Sequence, residues 1–291
     1  MIKGIIASNC NLKGNAHTKV GECAMFEGTP LGLIFTGLNS LFSTGTDEFN
    51  QELLDGVYAP GINRVTPVSS EIAVLGITGG DLLTSQEGFG TASVVGLNPL
   101  QEDYTIIDGG FCLYRQLFKL NNRRVRVFKV DKSRFAYGTI VTVGGEDKMR
   151  GYLAKIGVSR RINNGETGGA IILSLFYGAD FQNEDTNSSS IPLPEMIEGL
   201  TGIFLQKGSA SGKAKVIVSC SGDDLTSTYG SALEAVELYR KKDGTNPATV
   251  TFSGGELTIA PVGEYRIADA LTLKTAGIEG YEGEENYVNI A

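Results

Sequence analysis

LYRQLFKLNNRRVRVFKVDKSR, residues 113–134, is the stretch on which the reading of this chain turns. Eight basic side chains and a single carboxylate, Asp131, fall within these 22 residues. Alternation in RRVRV places Arg124 and Arg126 on one face of a strand and Val125 and Val127 on the other. Asn121-Asn122, between LFKL and RRVRVFKV, reads as a hairpin turn joining two strands. A basic strand face has two natural uses, contact with phosphate and contact with an acidic protein surface.

The surrounding sequence weighs between them. The 291 residues carry a net charge of −8, so the surface as a whole is not built for nucleic acid. Yet 13 of the 25 basic residues lie between Arg115 and Arg161, with only Asp131, Glu146 and Asp147 among them. At the other end of the chain, EGYEGEENYVNI places Glu279, Glu282, Glu284 and Glu285 within seven residues without a basic neighbour. That run reads as a charged tail or edge, or as an acidic patch that meets the basic one on another copy. Phe118 and Phe128 read as core residues rather than as stacking platforms for bases.

Outward from this stretch the text is β-rich. The 39 glycines follow no Gly-X-Y period, which excludes collagen and favours tight turns and bulges. Strands are expected in SEIAVLGITGG, GFGTASVVGL, FAYGTIVTV, RGYLAKIGVSRRI and GGAIILSLFYGA, with spacing too short for crossover helices. LIFTGLNSLFSTG reads as a strand entering a turn or as a short buried helix. TDEFNQELLDG, residues 46–56, is the helix candidate: Thr46 caps it, Phe49, Leu53 and Leu54 share a face, and Gly56 ends it. DFQNEDTNSSS, residues 180–190, reads as a linker, and IPLPEMIEGLTG as a docked helix or an extended crossing. Beyond Gly208, GKAKVIVSCSG and ATVTFSGGELTIAP alternate as strands, while SALEAVELYRKK fits a helix or a strand.

The expected fold is therefore mainly β: an antiparallel β-sandwich or partial barrel with one short helix over residues 1–190, a connecting segment at 191–208, and a small β module at 209–291. An immunoglobulin-like form for that module has no Cys…Trp…Cys pattern behind it, since tryptophan is absent.

Catalytic patterns are sparse. His17 is the only histidine, in a Gly/Asn-rich stretch that reads as a turn, so two-histidine zinc or catalytic sites are excluded. GxSxG, HExxH and P-loop motifs are absent, and EGFGTA lacks the third glycine of a dinucleotide loop. Glu71, Asp81, Asp103 and Asp108 lie at expected strand ends, and Asp131 and Glu195 could also reach a cleft, as a carboxylate pair for glycoside hydrolysis would need, but turn chemistry explains each. GDD at 222–224 lacks calcium-loop spacing. Cys10, Cys23, Cys112 and Cys220 are dispersed and read as unpaired thiols, consistent with a reducing compartment. No apolar run of membrane-spanning length and no export signal is recognisable. No cofactor or metal is expected.

Taken together, IKGIIASNCNLKG…GECAMFEG, the body from LYRQLFKLNNRRVRVFKVD to GGAIILSLFYGADF, and the tail from GKAKVIVSC to GIEGYEGEENYVNI resemble the organisation of tailed-bacteriophage structural proteins, tail tube proteins above all. The resemblance implies a non-enzymatic subunit, made in the host cytoplasm and housed in the virion. Its partners would be copies of itself in stacked rings around a DNA channel and other virion proteins, with DNA passing without sequence-specific binding. Capsid, decoration and baseplate proteins share the organisation, and a carbohydrate- or surface-binding β protein is the rival reading. Under the tube reading the subunit-interface candidates are Arg115, Arg123, Arg124, Arg126, Lys129, Arg134, Glu279, Glu282, Glu284 and Glu285.

Overall fold

The computed structural model describes residues 28–68, 72–85, 90, 92–166, 168–178 and 180–291. They form a mainly β structure with several antiparallel sheets and short helices, divided into two compact units. The first unit comprises the described residues up to Gly56 and Ile62–Ile197; the second comprises Val57–Gly61 and Glu198–Ala291. His17, Glu71 and the proposed N-terminal arm lie outside the described residues.

In the first unit the order is β1 (Pro30–Thr36), α1 (Thr46–Tyr58), β2 (Thr66–Val68), β3 (Ile72–Thr78), β4 (Leu82–Ser85), β5 (Ser93–Leu97), β6 (Gln101–Ile106) and α2 (Gly110–Phe118). Then follow β7 (Arg124–Asp131), β8 (Phe135–Val143), β9 (Glu146–Arg150), β10 (Tyr152–Arg161), β11 (Ala170–Tyr177), α3 (Phe181–Thr186) and β12 (Ser188–Pro192). Ten strands join one sheet along the path β12-β8-β7-β10-β11-β6-β3, with β1, β2 and β9 branching from it. The path ends at β12 and β3, so the sheet is not a closed barrel.

The sheet forks at β7. One edge of this strand pairs with β1; the other pairs with β10 through residues 124–127 and with β8 at Lys129 and Val130. Gly151 lies at the fork, where a Cβ would stand 2.6 Å from the Val127 nitrogen, so only glycine lets the backbones approach this closely. The face of β7 carrying Val125 and Val127 joins the main core with Leu33, Phe35, Tyr104, Tyr152, Ile156, Leu173 and Leu175. The opposite face packs Phe128 edge-on against Phe42 and Phe49, the last supplied by α1.

Several expectations change against these elements. LIFTGLNSLFSTG begins as strand β1, one of its two readings. Helix α1 buries Phe49 and Leu53, but Leu54 is exposed, and the helix continues past Gly56 to Tyr58. Gly56 serves packing instead, since a Cβ there would lie 2.4 Å from the Val65 side chain. LFKL is not a strand: it falls at the end of α2, whose Leu117 is buried, and Asn121-Asn122 is the turn leaving that helix. Residues 180–190 are not a linker but α3 and the start of β12, and the described residues contain five α-helices rather than one.

The second unit contains β13 (Thr201–Lys207), β14 (Lys213–Val218), α4 (Thr226–Tyr229), β15 (Tyr239–Lys241), β16 (Thr249–Ser253), β17 (Glu256–Ala260), β18 (Glu264–Ile267), α5 (Ala270–Thr275), β19 (Tyr281–Gly283) and β20 (Val288–Asn289). The span 191–208 is thus not a plain connection, because it finishes β12 and contains all of β13. SALEAVELYRKK becomes two 3₁₀ turns and β15. The sheets β16-β17-β14-β13-β19 and β15-β18-β20 share one apolar core with Ile203, Val216, Leu257, Tyr239 and Tyr265. Only β13 and β19 pair in parallel in this unit. Gly254-Gly255, both at positive φ, turn the β16–β17 hairpin.

Cys112 and Cys220 are both disulfide-bonded, and no described thiol is free. The unpaired-thiol reading fails for these two, because dispersed positions in sequence say nothing about proximity in space; Cys10 and Cys23 lie outside the described residues. The lean toward a reducing compartment loses its basis with it. No helix among the described residues is long and apolar enough to cross a membrane.

Asp269 caps α5, accepting from the amide and hydroxyl of Thr272 at 3.0 Å each. Partial burial pushes its carboxyl up, but these bonds outweigh burial and hold it below the ordinary range. A depressed folded value means the contribution is complete above about pH 4 and is lost as pH falls through the folded value. Asp269→Ala is expected to cost the second unit about 1 kcal/mol at neutral pH. The deficit should shrink in acid, measured by urea denaturation at pH 7 and pH 3.

Candidate functional site

Strand β7 was expected to offer its cations to a neighbour, and here the structure differs. Every residue from Val125 to Asp131 is buried. Arg126 and Lys129 therefore leave the list of interface candidates, since both form ion pairs inside their own unit.

Lys129 follows Val125 and Val127 in phase, so its stem enters the main core. Its Nζ donates to Glu102 Oε1 at 2.7 Å, and Tyr104 and Tyr177 hydroxyls each donate to Glu102 Oε2 at 2.7 Å. The ammonium also faces the rings of Tyr152, Tyr177 and Phe181 at 5.3–5.7 Å. Desolvation of a carboxylate and an ammonium is thus offset by direct charge, by two phenol donors and by ring quadrupoles.

The pair also fixes the shape of the sheet. Glu102 is on β6, three strands from β7, and aligns with Leu175, which aligns with Ile156. A flat sheet would separate β6 and β7 by about 14 Å, and the register adds about 20 Å along the strands. Extended Lys and Glu side chains together reach roughly 10 Å. Only a strongly curled and coiled sheet brings the two charges into contact.

Arg126 occupies the opposite face. It pairs with Glu184 of α3, and Glu184 also accepts from the Leu153 amide at 2.8 Å and from Arg150 at 3.4 Å. Burial first, then the Arg126 charge, push the Arg150 guanidinium down from its ordinary value, while Glu184 works the other way. Asp131 is likewise consumed locally, accepting from the Phe135 amide and the Tyr137 hydroxyl at 2.9 Å each. Asp103 accepts from Gln101 and Ser174. Neither carboxylate is free for glycoside chemistry, while Asp81, Asp108 and Glu195 are exposed.

An exposed basic surface remains, built differently from the one expected. Arg123 precedes β7 and Arg124 begins it, opposite Lys155 of β10. The turn before them is tied to β10 by Asn122 N–H to Ile156 O at 2.7 Å, Ile156 N–H to Arg123 O at 2.9 Å and Val158 N–H to Asn121 Oδ1 at 2.9 Å. Helix α2 lies alongside and exposes Arg115 and Lys119. Arg160 of β10 stacks on Phe111 of α2 at 5.1 Å. Exposed Phe111, Phe118 and Phe176 intersperse these cations. The Phe176 ring lies over Gly157 and helps form an open cleft of about 440 Å³ with Asn121, Asn122 and Lys155. Arg134 is elsewhere, in the β7–β8 turn at φ 63°, donating to Pro194 O at 2.7 Å. Reading LFKL as a strand hides the exposure of Phe118 and Lys119 at the end of α2, whereas Lys155, Arg160 and Phe176 belong to β10 and β11 and join this surface only through the pairing of the strands.

The four glutamates lie on and beside β19, an edge strand of the second unit. Glu279 and Glu285 are exposed; Glu282 and Glu284 are half-buried.

A second exposed feature belongs to the first unit. Among the described residues, strands β4 and β5 pair only with each other, as a two-stranded sheet off the main one. Leu82, Leu83, Val94 and Val95 are 42–65% exposed on it, and Ile77 of the edge strand β3 is 62% exposed. The sequence pattern marks β3 and β5 as strands but not β4, nor that β4 and β5 leave the main sheet.

Among the described residues, no group of three or more His, Cys, Asp or Glu side chains gathers as for a metal ion. Comparison with protein-family models, curated proteins and solved structures returns no match.

Removal of either charge of the interior pair leaves the other buried and uncompensated, at a cost of about 3–5 kcal/mol. Lys129→Met and Glu102→Gln are each expected to fall in that range by urea denaturation followed by far-UV circular dichroism. The double variant is expected to lose less than the sum of the two, showing that the charges act as one unit.

Proposed function

We propose that this protein is a non-enzymatic virion structural subunit whose function is repetitive self-assembly, by preference into the stacked rings of a tail tube around a DNA channel. In this reading the first unit is a partial-barrel assembly body and the second a small β module. The subunit is made in the host cytoplasm, needs no cofactor, and meets copies of itself and other virion proteins.

The observation that carries the reading is the β4–β5 hairpin. A lone two-stranded sheet is marginal in water. This one exposes leucine and valine side chains and has no charged residue within its strands. Such an arm gains stability when a neighbour covers it, and a repeating assembly supplies that neighbour at every subunit. The edge strand β3 beside it offers unpaired backbone groups for the same purpose.

Val94→Lys/Val95→Lys changes two residues that are 61% and 65% exposed, so the fold is expected to persist by circular dichroism. Sedimentation velocity should show the concentration needed for assembly rising at least ~10-fold, as the loss of about 1.4 kcal/mol at each junction requires. Assembly equal to that of the wild-type chain would remove the hairpin from the interface.

A further inference from the structure

We infer that subunits associate head to tail, with the acidic β19 edge of the second unit of one copy seated on the basic, phenylalanine-bearing end of the first unit of another. This inference rests on the self-assembly reading and adds which surfaces meet. The two surfaces complement each other in charge. Arg115, Lys119, Arg123, Arg124, Lys155 and Arg160 supply six cations around α2 and the start of β7. Glu279, Glu282, Glu284 and Glu285 supply four carboxylates around β19.

Within the chain, Arg115, Arg123, Arg124, Lys155, Arg160, Glu279, Glu284 and Glu285 have little to do. No carboxylate among the described residues lies within ion-pair distance of Arg115, Arg123, Arg124, Lys155 or Arg160. Glu279, Glu284 and Glu285 have no cation among the described residues so placed either. This contrasts with Arg126 and Lys129, from the same basic run, which are paired and buried.

The surfaces also carry the apolar groups that a stable contact needs. Phe111 and Phe118 are 62% and 51% exposed beside the cations, and Tyr287, 39% exposed, accompanies the glutamates. Aromatic anchors inside a charged rim are the anatomy of an energetic interface, with the charges setting register and encounter rate. A second copy is favoured over nucleic acid because the complementary surface is present in every subunit at equal concentration, and because the chain as a whole is acidic, at −8. Two different surfaces make the contact heterologous, so it propagates in one direction and either closes as a ring or continues as a helix.

Charge reversal tests this. Variant A is Arg115→Glu/Arg123→Glu/Arg124→Glu/Lys155→Glu, which leaves four carboxylates against Lys119 and Arg160, and variant B is Glu279→Lys/Glu284→Lys/Glu285→Lys, which leaves three ammonium groups against Glu282, so each surface changes sign; both are checked for folding by circular dichroism. At low salt each alone is expected to need at least ~10-fold more protein to assemble than the wild-type chain. An equimolar mixture of A and B should regain assembly, because every A–B junction is then attractive while A–A and B–B junctions repel. Wild-type assembly with unimpaired A and B would overturn the head-to-tail contact while leaving self-assembly standing. Impaired variants that fail to rescue each other would assign the charges to contacts within one chain and overturn it too. A wild-type chain that stays monomeric would end both readings.

Discussion

The Lys129–Glu102 contact is the constraint on which the first unit depends. Its two charges come from strands three apart in the sheet and offset along it, and they meet at 2.7 Å. A buried ion pair is weak evidence of net stability, since apolar replacements often do as well. What it supplies is selection among shapes. A flatter sheet would strand an ammonium and a carboxylate in a core of Val127, Tyr152 and Leu175. Curling the sheet satisfies both charges, and it also aligns Tyr104 and Tyr177 to complete the carboxylate's bonds. Strand β7 carries a second buried cation on its other face, so Glu184 and α3 are held across the fork by the same logic. From Val125 onward the charged strand is therefore an interior organiser of the unit, and only its first residue, Arg124, is exposed.

Curling with no closure has a consequence for function. The sheet retains edges at β3 and β12, and the β4–β5 hairpin stands apart from it. Edges and lone hairpins are hazards for a monomer and assets for a subunit, because neighbours can pair with and cover them. The basic end around α2 and the acidic edge around β19 add polarity, which hydrophobic burial alone does not provide. The proposed assembly reading joins these features: apolar contact for strength, opposite charges for direction.

Much of the sheet was legible because half-buried strands alternate and glycine pairs punctuate them. Strands β8, β10, β11, β14 and the β16–β17 hairpin follow the written pattern closely. Helix α2 was not, since FCLYRQLF is as apolar as a strand and shows its helical nature only in the Leu113 and Leu117 spacing. The fate of the basic run was hidden for a different reason. The partners of Lys129 and Arg126 lie 27 and 58 positions away, one of them in a polar tract that looks like a linker. One local sign did exist: Lys129 is in phase with Val125 and Val127, so an apolar face of the strand contained a cation from the outset. Placing Arg124 outside and Arg126, on the same face, inside depends on Glu184 of α3, which only long-range packing brings to β7.

The most direct test of the central claim is negative-stain electron microscopy of the purified protein across a concentration series, with mass by light scattering on the same samples. Rings or hollow tubes of regular diameter, with masses at whole multiples of 30.9 kDa, are the predicted result. A particle that remains at the mass of one chain at the highest concentration, with no regular assembly in the images, would contradict the account.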